Sequence, residues 1–514
     1  MTQPLIGSTE APVRAIPATR SVVEARSDES LRTIVGLALV IGLFGRLVAG
    51  WQAPLWLDET FTATIASQNS AKGLFDWLLH ELSGPAFYLP QWAWAQLAGE
   101  SNVAQRIPSV VYSLAAPALV LWRGHPDRRT RMIWAAVLAL WPLGCAHATE
   151  ARPYALLVLI ATAQAITFHR LLADVTLPRA CLWVAISGIG VLTHYYMIVI
   201  ATVQGLLLLA SAPRAALRSW PALLLLLPVF AWMSVHLPAV LAFASGSTWY
   251  NYVTVAWLRQ LPNAVFGFWP FSEALAVGMV GTAALAGLPR LAARTPVPPR
   301  VRADALLILS GLATIAIVVG WAMFNRSFTP RYLLLFAPPV LFGVACWLNW
   351  LDSHLRPRYS AVVLLLLCVS TTVQLVARFN HPENDIRSAL SFERASDWLR
   401  ERGATRRLIF FWDNPTADST NRALIAEVGG YFLRRAGDHP EVVLPAMPRA
   451  VDPNTRLLAM AGADRGAGIL WLYDTAVPHT RGRRFPHRID AIDPRWRCHD
   501  FGRGNITVLA CAAR

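Results

Sequence analysis

From Ser219 to Leu258 the chain runs forty residues without a single Asp, Glu, Lys or Arg, and uncharged runs recur from Ala305 to Asn325 and from Tyr332 to Leu351. A segment of about 20 apolar residues can cross hydrocarbon as a helix, because a helix pairs its backbone polar groups within itself. Several such segments make the chain a polytopic membrane protein. Charged residues are 15% of the 514, against about 25% in an ordinary soluble chain. The formal charge of +15 does not point to nucleic acid, since nucleic-acid-binding chains gather their cations on a solvated face. Lys72 is the single lysine, which reflects a GC-rich coding bias rather than a function.

Eleven segments read as spans: 33–50, 107–122, 132–148, 154–171, 181–193, 196–212, 221–241, 274–289, 304–324, 332–350 and 359–377. Arginines orient them, because cytoplasmic loops retain cations near span ends. One alternating set of segments holds eighteen cations, with clusters at Arg123, Arg128, Arg129 and Arg131 and at Arg290, Arg294, Arg300 and Arg302; the opposite set holds six before the C-terminal region. The N-terminal tail, residues 1–30, is therefore expected inside, and the first span is read as an uncleaved anchor. An odd number of spans places everything after about residue 379 outside. The expected location is a bacterial cytoplasmic (inner) membrane.

Residues 85–98 are apolar enough to compete as a further span, but crossing there would move Arg123–Arg131 outside. The stretch also carries Pro85 and Pro90 and is rich in Tyr and Trp, residues that favour the headgroup level. It is read as lying along the outer surface, within a long external loop, 51–106, that contains two interfacial helices.

From residue 380 the composition turns charged and polar. Helices near 386–402, 420–435 and 455–463 alternate with short apolar runs at 408–412, 442–444 and 469–473, the pattern of a small α/β sheet. Residues 495–512 read as a hairpin turning at Gly502–Asn505. Cys498 and Cys511 then lie nearly opposite each other, in a compartment where a disulfide can persist. Cys145, Cys181, Cys346 and Cys368 lie in spans as small apolar packers.

Ionisable groups near hydrocarbon are costly and so mark candidate function. Five groups fall at the expected outer ends of spans. Asp58 and Glu59 are adjacent, so on a helix they point about 100° apart and only one can face a cavity; the plainer alternative makes Asp58 a helix N-cap. Tyr88 lies in Ser83-Gly84-Pro85-Ala86-Phe87-Tyr88, followed by Arg106-Ile107-Pro108-Ser109. His147, Glu150, Arg152 and Tyr154 crowd one short loop, where an acid and a base two residues apart could simply pair. His194-Tyr195-Tyr196 interrupts two spans, and a lone His there is often structural. Arg331-Tyr332 leads into the tenth span, where Arg331 either snorkels to headgroups or holds a lipid phosphate.

This ordered set resembles the bacterial branch of the protein mannosyltransferase and aminoarabinose transferase families, membrane glycosyltransferases of the C-type fold. Their Asp-Glu pair in the first external loop is matched by Asp58 and Glu59, and their Arg-x-Pro-Ser by Arg106, Pro108 and Ser109. Glu150, Arg152 and Tyr154 match Glu-x-Arg-x-Tyr; His194 and Tyr195 match His-Tyr; Arg331 and Tyr332 match Arg-Tyr. The family's Pro-Pro-x-Tyr-Tyr helix is degraded to Gly84-Pro85-Ala86-Phe87-Tyr88. The resemblance spans roughly residues 30–380 and leaves the C-terminal domain unmatched.

It implies a sugar donor carried on a polyprenyl phosphate and an acceptor that is lipid, polysaccharide or protein. A phosphate leaving group needs cationic stabilisation rather than a general acid, for which Arg331 leads, followed by Arg152 and His194. The acceptor hydroxyl needs a base, Asp58, positioned by Glu59 or Glu150. A single displacement inverts the anomeric carbon. A divalent metal at Asp58 and Glu59 is a further option, since some relatives of the fold use one. The rival readings are a flippase or transporter for a lipid-linked sugar, which would show broken mid-membrane segments and paired halves, and a non-catalytic scaffold.

Overall fold

The computed structural model describes residues 18–48, 51, 53–246, 253–292, 297–325, 328–355, 358–381, 392–414, 417, 421–448, 451–474, 485–502 and 506–514. Its helices run α1 (Ala18–Val48), α2 (Leu57–Ala66), α3 (Ala71–Leu78), α4 (Pro85–Ala98), α5 (Asn102–Arg123), α6 (Arg128–Leu140), α7 (Pro142–Ala146), α8 (Tyr154–Ala173) and α9 (Leu177–Thr193). They continue as α10 (Met197–Ser211), α11 (Pro213–Arg218), α12 (Leu227–Gly246), α13 (Leu261–Phe266), α14 (Ser272–Ala292), α15 (Pro299–Phe324), α16 (Ala337–His354) and α17 (Tyr359–Asn380). The described residues of the eleven apolar segments are mainly helical, with 132–148 divided at Trp141 and with 221–241 and 332–350 each opening on a 3-10 turn. Among the described residues six helices are long and apolar enough to cross a membrane: Glu29–Val48, Asn102–Arg123, Tyr154–Ala173, Trp220–Leu241, Pro299–Phe324 and Tyr359–Asn380. The first helix begins at Ala18, inside the stretch expected to be a tail.

The core of the bundle is α6. Its residues from Ile133 to Leu140 are buried on every face, as a helix apolar all round must be, and α1, α5, α16 and α17 pack around it. α6 stops at Trp141 because Pro142 has no N–H to give the carbonyl four residues back. The freed carbonyls of Leu138 and Ala139 accept instead from Arg46, whose other donors go to Gly42 O (2.9 Å) and Ser113 Oγ (2.9 Å). A buried guanidinium thus satisfies a broken helix end, and the chain turns through α7 into the loop that carries His147, Glu150 and Arg152.

The loop over residues 51–106 holds three helices, α2, α3 and α4, where two were expected. α4 turns Phe87, Tyr88 and Gln91 inward and leaves Leu89 and Leu97 exposed. Its start is stapled to the end of α9: Gly84 N donates to Thr193 O at 3.0 Å, and a Cβ at Gly84 would sit 2.1 Å from Leu192 O. Only glycine permits that approach.

The C-terminal domain adds α18 (Phe392–Arg400), α19 (Arg422–Arg435), α20 (Pro453–Ala461) and α21 (Ile489–Ile492) to strands β1 (Arg407–Asp413), β2 (Glu441–Val443), β3 (Ala467–Asp474), β4 (Trp496–Phe501) and β5 (Ile506–Ala513). The sheet order is β2-β1-β3-β5-β4, with β1 parallel to β2 and β3, and β5 antiparallel to β3 and β4. Cys498 pairs with Cys511 across β4 and β5 and is bonded to it. Residues 503–505 of the expected turn and 386–391 of the expected first helix lie outside the described residues.

This domain is not a detached module. Trp412, Val428 and Phe432 belong to one continuous buried cluster with Leu55, Trp56, Ile65, Trp77 and Phe87 of the loop. Polar ties reinforce it: Glu427 accepts from Gln68 Nε2 (2.9 Å) and Trp77 Nε1 (2.8 Å), and Glu393 accepts from Asn102 Nδ2 (2.8 Å).

Candidate active site

The first turn of α2 sets the site. Trp56 is its N-cap residue, so Asp58 is not the cap; it stands at the second helical position and, unlike Glu59, is not fully buried. Glu59, one residue on, points about 100° away into the protein. There Arg106 grips both its oxygens, Nε to Oε1 at 2.9 Å and Nη2 to Oε2 at 2.7 Å, with both side chains fully buried. Ala151 N adds a third bond at 2.9 Å. Arg106 also donates to the carbonyls of Trp51, Ala53 and Pro54. Glu59 and Arg106 thereby pin α2, α5 and the 147–153 loop together, with both side chains fully buried.

Asp58 meets Arg331, its Oδ2 accepting from Nη1 at 2.8 Å, and both side chains keep partial exposure. The Arg331 guanidinium lies 5.7 Å from the Trp56 ring centre and 5.5 Å from that of Tyr154, a cation–π cradle that fixes its plane. Arg152, on the other side, donates through Nη1 to Asp58 O (3.3 Å), Thr62 Oγ1 (3.3 Å) and Tyr88 Oη (3.2 Å), and its Nη2 lies 3.6 Å from Glu81 Oε1. The Nε groups of Arg152 and Arg331 are both buried without a partner. Two guanidiniums with unspent donors around carboxylates suit an anion that carries its own hydrogen-bond acceptors.

Glu150 is bonded to His147 Nδ1. Burial alone would push its pKa up, but His147, with Arg331 and Arg152 nearby, holds the carboxyl below its usual range. His194 closes the site. Its ring packs 4.9 Å from Tyr332 and 5.6 Å from Tyr196. Burial, aided by Arg152 and Arg331, pushes the imidazole down to about 3. It is neutral at physiological pH, which removes it as a source of positive charge.

The structure therefore gathers Asp58, Tyr88, Glu150, Arg152, Tyr154, His194, Arg331 and Tyr332. It sets Glu59 and Arg106 behind them as a clamp and diverts Tyr195, whose hydroxyl donates to His236 Nδ1 at 2.6 Å. His236 Nε2 in turn donates to Glu81 O at 2.9 Å. Glu81, Thr62 and His236 were missed in the sequence, and Tyr196 was read there only as a neighbour of the matched His194-Tyr195 pair. Glu81 alone left a trace, an acid two residues before the Ser83-Gly84 motif.

A divalent cation at Asp58 and Glu59 does not fit, since the oxygens of Glu59 are taken by Arg106 and Ala151 and Asp58 is paired with Arg331. A group with ligand-like spacing, His125, His169 and Asp304, lies elsewhere. His169 is fifteen residues along α8 from Tyr154, about 22 Å away at 1.5 Å per residue. His125 Nδ1 accepts from Asp127 N (3.2 Å), so the proton sits on Nε2 and is donated to Asp304. That tautomer makes the trio a hydrogen-bonded clamp, because a ligating Nε2 must be unprotonated.

The chain superposes on the crystal structure of ArnT from Cupriavidus metallidurans in the apo state over 96% of its length and 98% of that chain, with a TM-score of 0.55 at 14% identity. On the same protein bound to undecaprenyl phosphate the coverage is again 96% and 98%, with a TM-score of 0.57 at 13% identity. No family model matches the chain, and no curated protein matches it in sequence. The likeness establishes the architecture: a C-type glycosyltransferase fold with a C-terminal α/β domain.

Proposed function

We propose that this chain is a membrane glycosyltransferase that moves a sugar from a polyprenyl-phosphate carrier to an acceptor outside the cytoplasm. The observation that carries it is the contact of Asp58 with Arg331, a carboxylate and a cation on separate segments 273 residues apart, beside a second buried arginine with spare donors. The undecaprenyl phosphate bound to the ArnT structure supports a polyprenyl-phosphate donor here. The arginine distribution, and the packing of the C-terminal domain on the loop helices, support an outer location for site and domain.

In this reading the paired Asp58 and Arg331 are the resting state. The donor phosphate takes over Arg331 and the free donors of Arg152, and its arrival releases Asp58. The acceptor hydroxyl gives its proton to Asp58 as its oxygen attacks the anomeric carbon. The bond to the phosphate oxygen breaks on the opposite face, the phosphate leaves as an anion held by both guanidiniums, and the anomeric configuration inverts. Glu150 keeps its negative charge and balances the arginines. Neutral His194 and Tyr332 offer hydrogen bonds and a ring face to the sugar.

Binding and transfer separate the roles. In lipid nanodiscs, Arg331→Gln weakens undecaprenyl phosphate binding, whereas Asp58→Asn retains it and loses transfer by about 10²–10⁴-fold, the usual range for a general base. Unchanged transfer in Asp58→Asn excludes it as the base.

A further inference from the structure

A second recess lies away from Asp58, where the C-terminal domain meets the α4–α5 turn. It is an open cleft of about 870 Å³ whose walls include Trp51, Glu100, Asn102, Glu393, Arg434 and Arg435. Its volume falls within the roughly 300–1,000 Å³ of small-molecule sites. Its walls are built rather than incidental. Arg435 donates to Asn102 Oδ1 at 2.7 Å and is also bonded to Glu393 Oε1, and Asn102 donates back to Glu393 Oε2 at 2.8 Å.

Two carboxylates and two guanidiniums bring the lining charge to zero. An anion would face Glu100 and Glu393, and a cation would face Arg434 and Arg435, so neither is favoured. A neutral molecule dense in hydroxyls uses both kinds of group, because each hydroxyl donates once and accepts twice. Trp51 adds an aromatic surface of the kind on which the C–H face of a sugar ring packs.

Ser67, which also lines the cleft, is nine residues along the α2 direction from Asp58, about 14 Å at 1.5 Å per residue. The Ser67 side of the cleft is therefore too far from Asp58 to hold the reacting hydroxyl. We infer that it is a subsite for a neutral oligosaccharide, the distal part of an acceptor whose near end reaches Asp58. Calling its occupant the acceptor rests on the transferase reading; the binding of neutral saccharide does not.

The test is saturation-transfer NMR on the full chain in nanodiscs, with maltotriose, mannotriose and chitotriose as neutral probes and maltotriose phosphate and chitosan trimer as charged ones. A neutral trisaccharide is expected to bind, to bind equally to Asp58→Asn, and to weaken by about tenfold or more when the cleft is plugged by Val103→Trp. Val103 is 41% exposed, so the plug spares the core; Asn69→Trp, at another exposed lining position, is the second plug. Preference for a charged trimer, absence of binding by every neutral probe, or full binding by both plugged variants overturns the subsite. Transfer that persists in Asp58→Asn while the plugged variants still lose binding would remove the transferase reading and leave the saccharide site standing.

Discussion

Asp58 and Glu59 share a chemistry and differ in fate because one helical residue turns a side chain by about 100°. Glu59 is locked to Arg106 in a buried pair, so removing one partner strands a charge. Arg106→Met is expected to cost about 3–5 kcal/mol, visible as a fall in the thermal midpoint of the detergent-solubilised protein. His194 gives a pH signature. Its folded value, about 3, lies below the ordinary value near 6.5. The unfolded chain therefore binds its proton first as pH falls, so the stability tied to His194 is complete above about pH 6.5 and is lost progressively towards pH 3. At pH 5 the loss is about 2 kcal/mol, and His194→Asn should flatten that slope in melts recorded between pH 7 and pH 5. The carboxylate pair was legible in the sequence as a pair, but which member faces the cavity depends on where α2 begins. The same limit misassigned Tyr195: the break after Thr193 sends Tyr195 to His236 and brings Tyr196 to Tyr332, a choice made by tertiary packing.

Uncharged length made the apolar helical segments legible in the sequence, six of them long enough to cross a membrane among the described residues, because crossing hydrocarbon takes about 20 apolar residues. The loop was less legible. α2 and α3 have ten and eight residues, too few for a clear period, and they are held by contacts with α4 and the C-terminal domain. Nor does sequence say that Arg46 feeds the break at Pro142, since the two are about a hundred residues apart. Arg46→Met should leave buried carbonyls unpaired at about 1–3 kcal/mol each, lowering the thermal midpoint. Gly84→Ala is a sharper probe of element placement. Its methyl would press on Leu192 O and drive α4, with Tyr88, off Arg152, so transfer should fall while far-ultraviolet circular dichroism stays unchanged.

At the scale of the molecule, the C-terminal domain and the loop that carries Asp58 share one buried cluster. The alternating helices and strands of that domain could be read from its periodicity, but its seat could not, because Gln68, Trp77, Asn102, Glu393 and Glu427 are ordinary residues until the fold brings them together. Removing residues 381–514 should therefore expose that cluster and abolish transfer, rather than release a working membrane core. The proposed transfer is one bond-making event on the loop face. It is tested most directly by the envelope glycans of cells lacking the gene, compared by mass spectrometry after complementation with wild type or Asp58→Asn at equal membrane abundance. One sugar substituent should vanish on deletion, return with wild type and stay absent with Asp58→Asn. A glycan profile indifferent to the gene, or restored by Asp58→Asn, would contradict it.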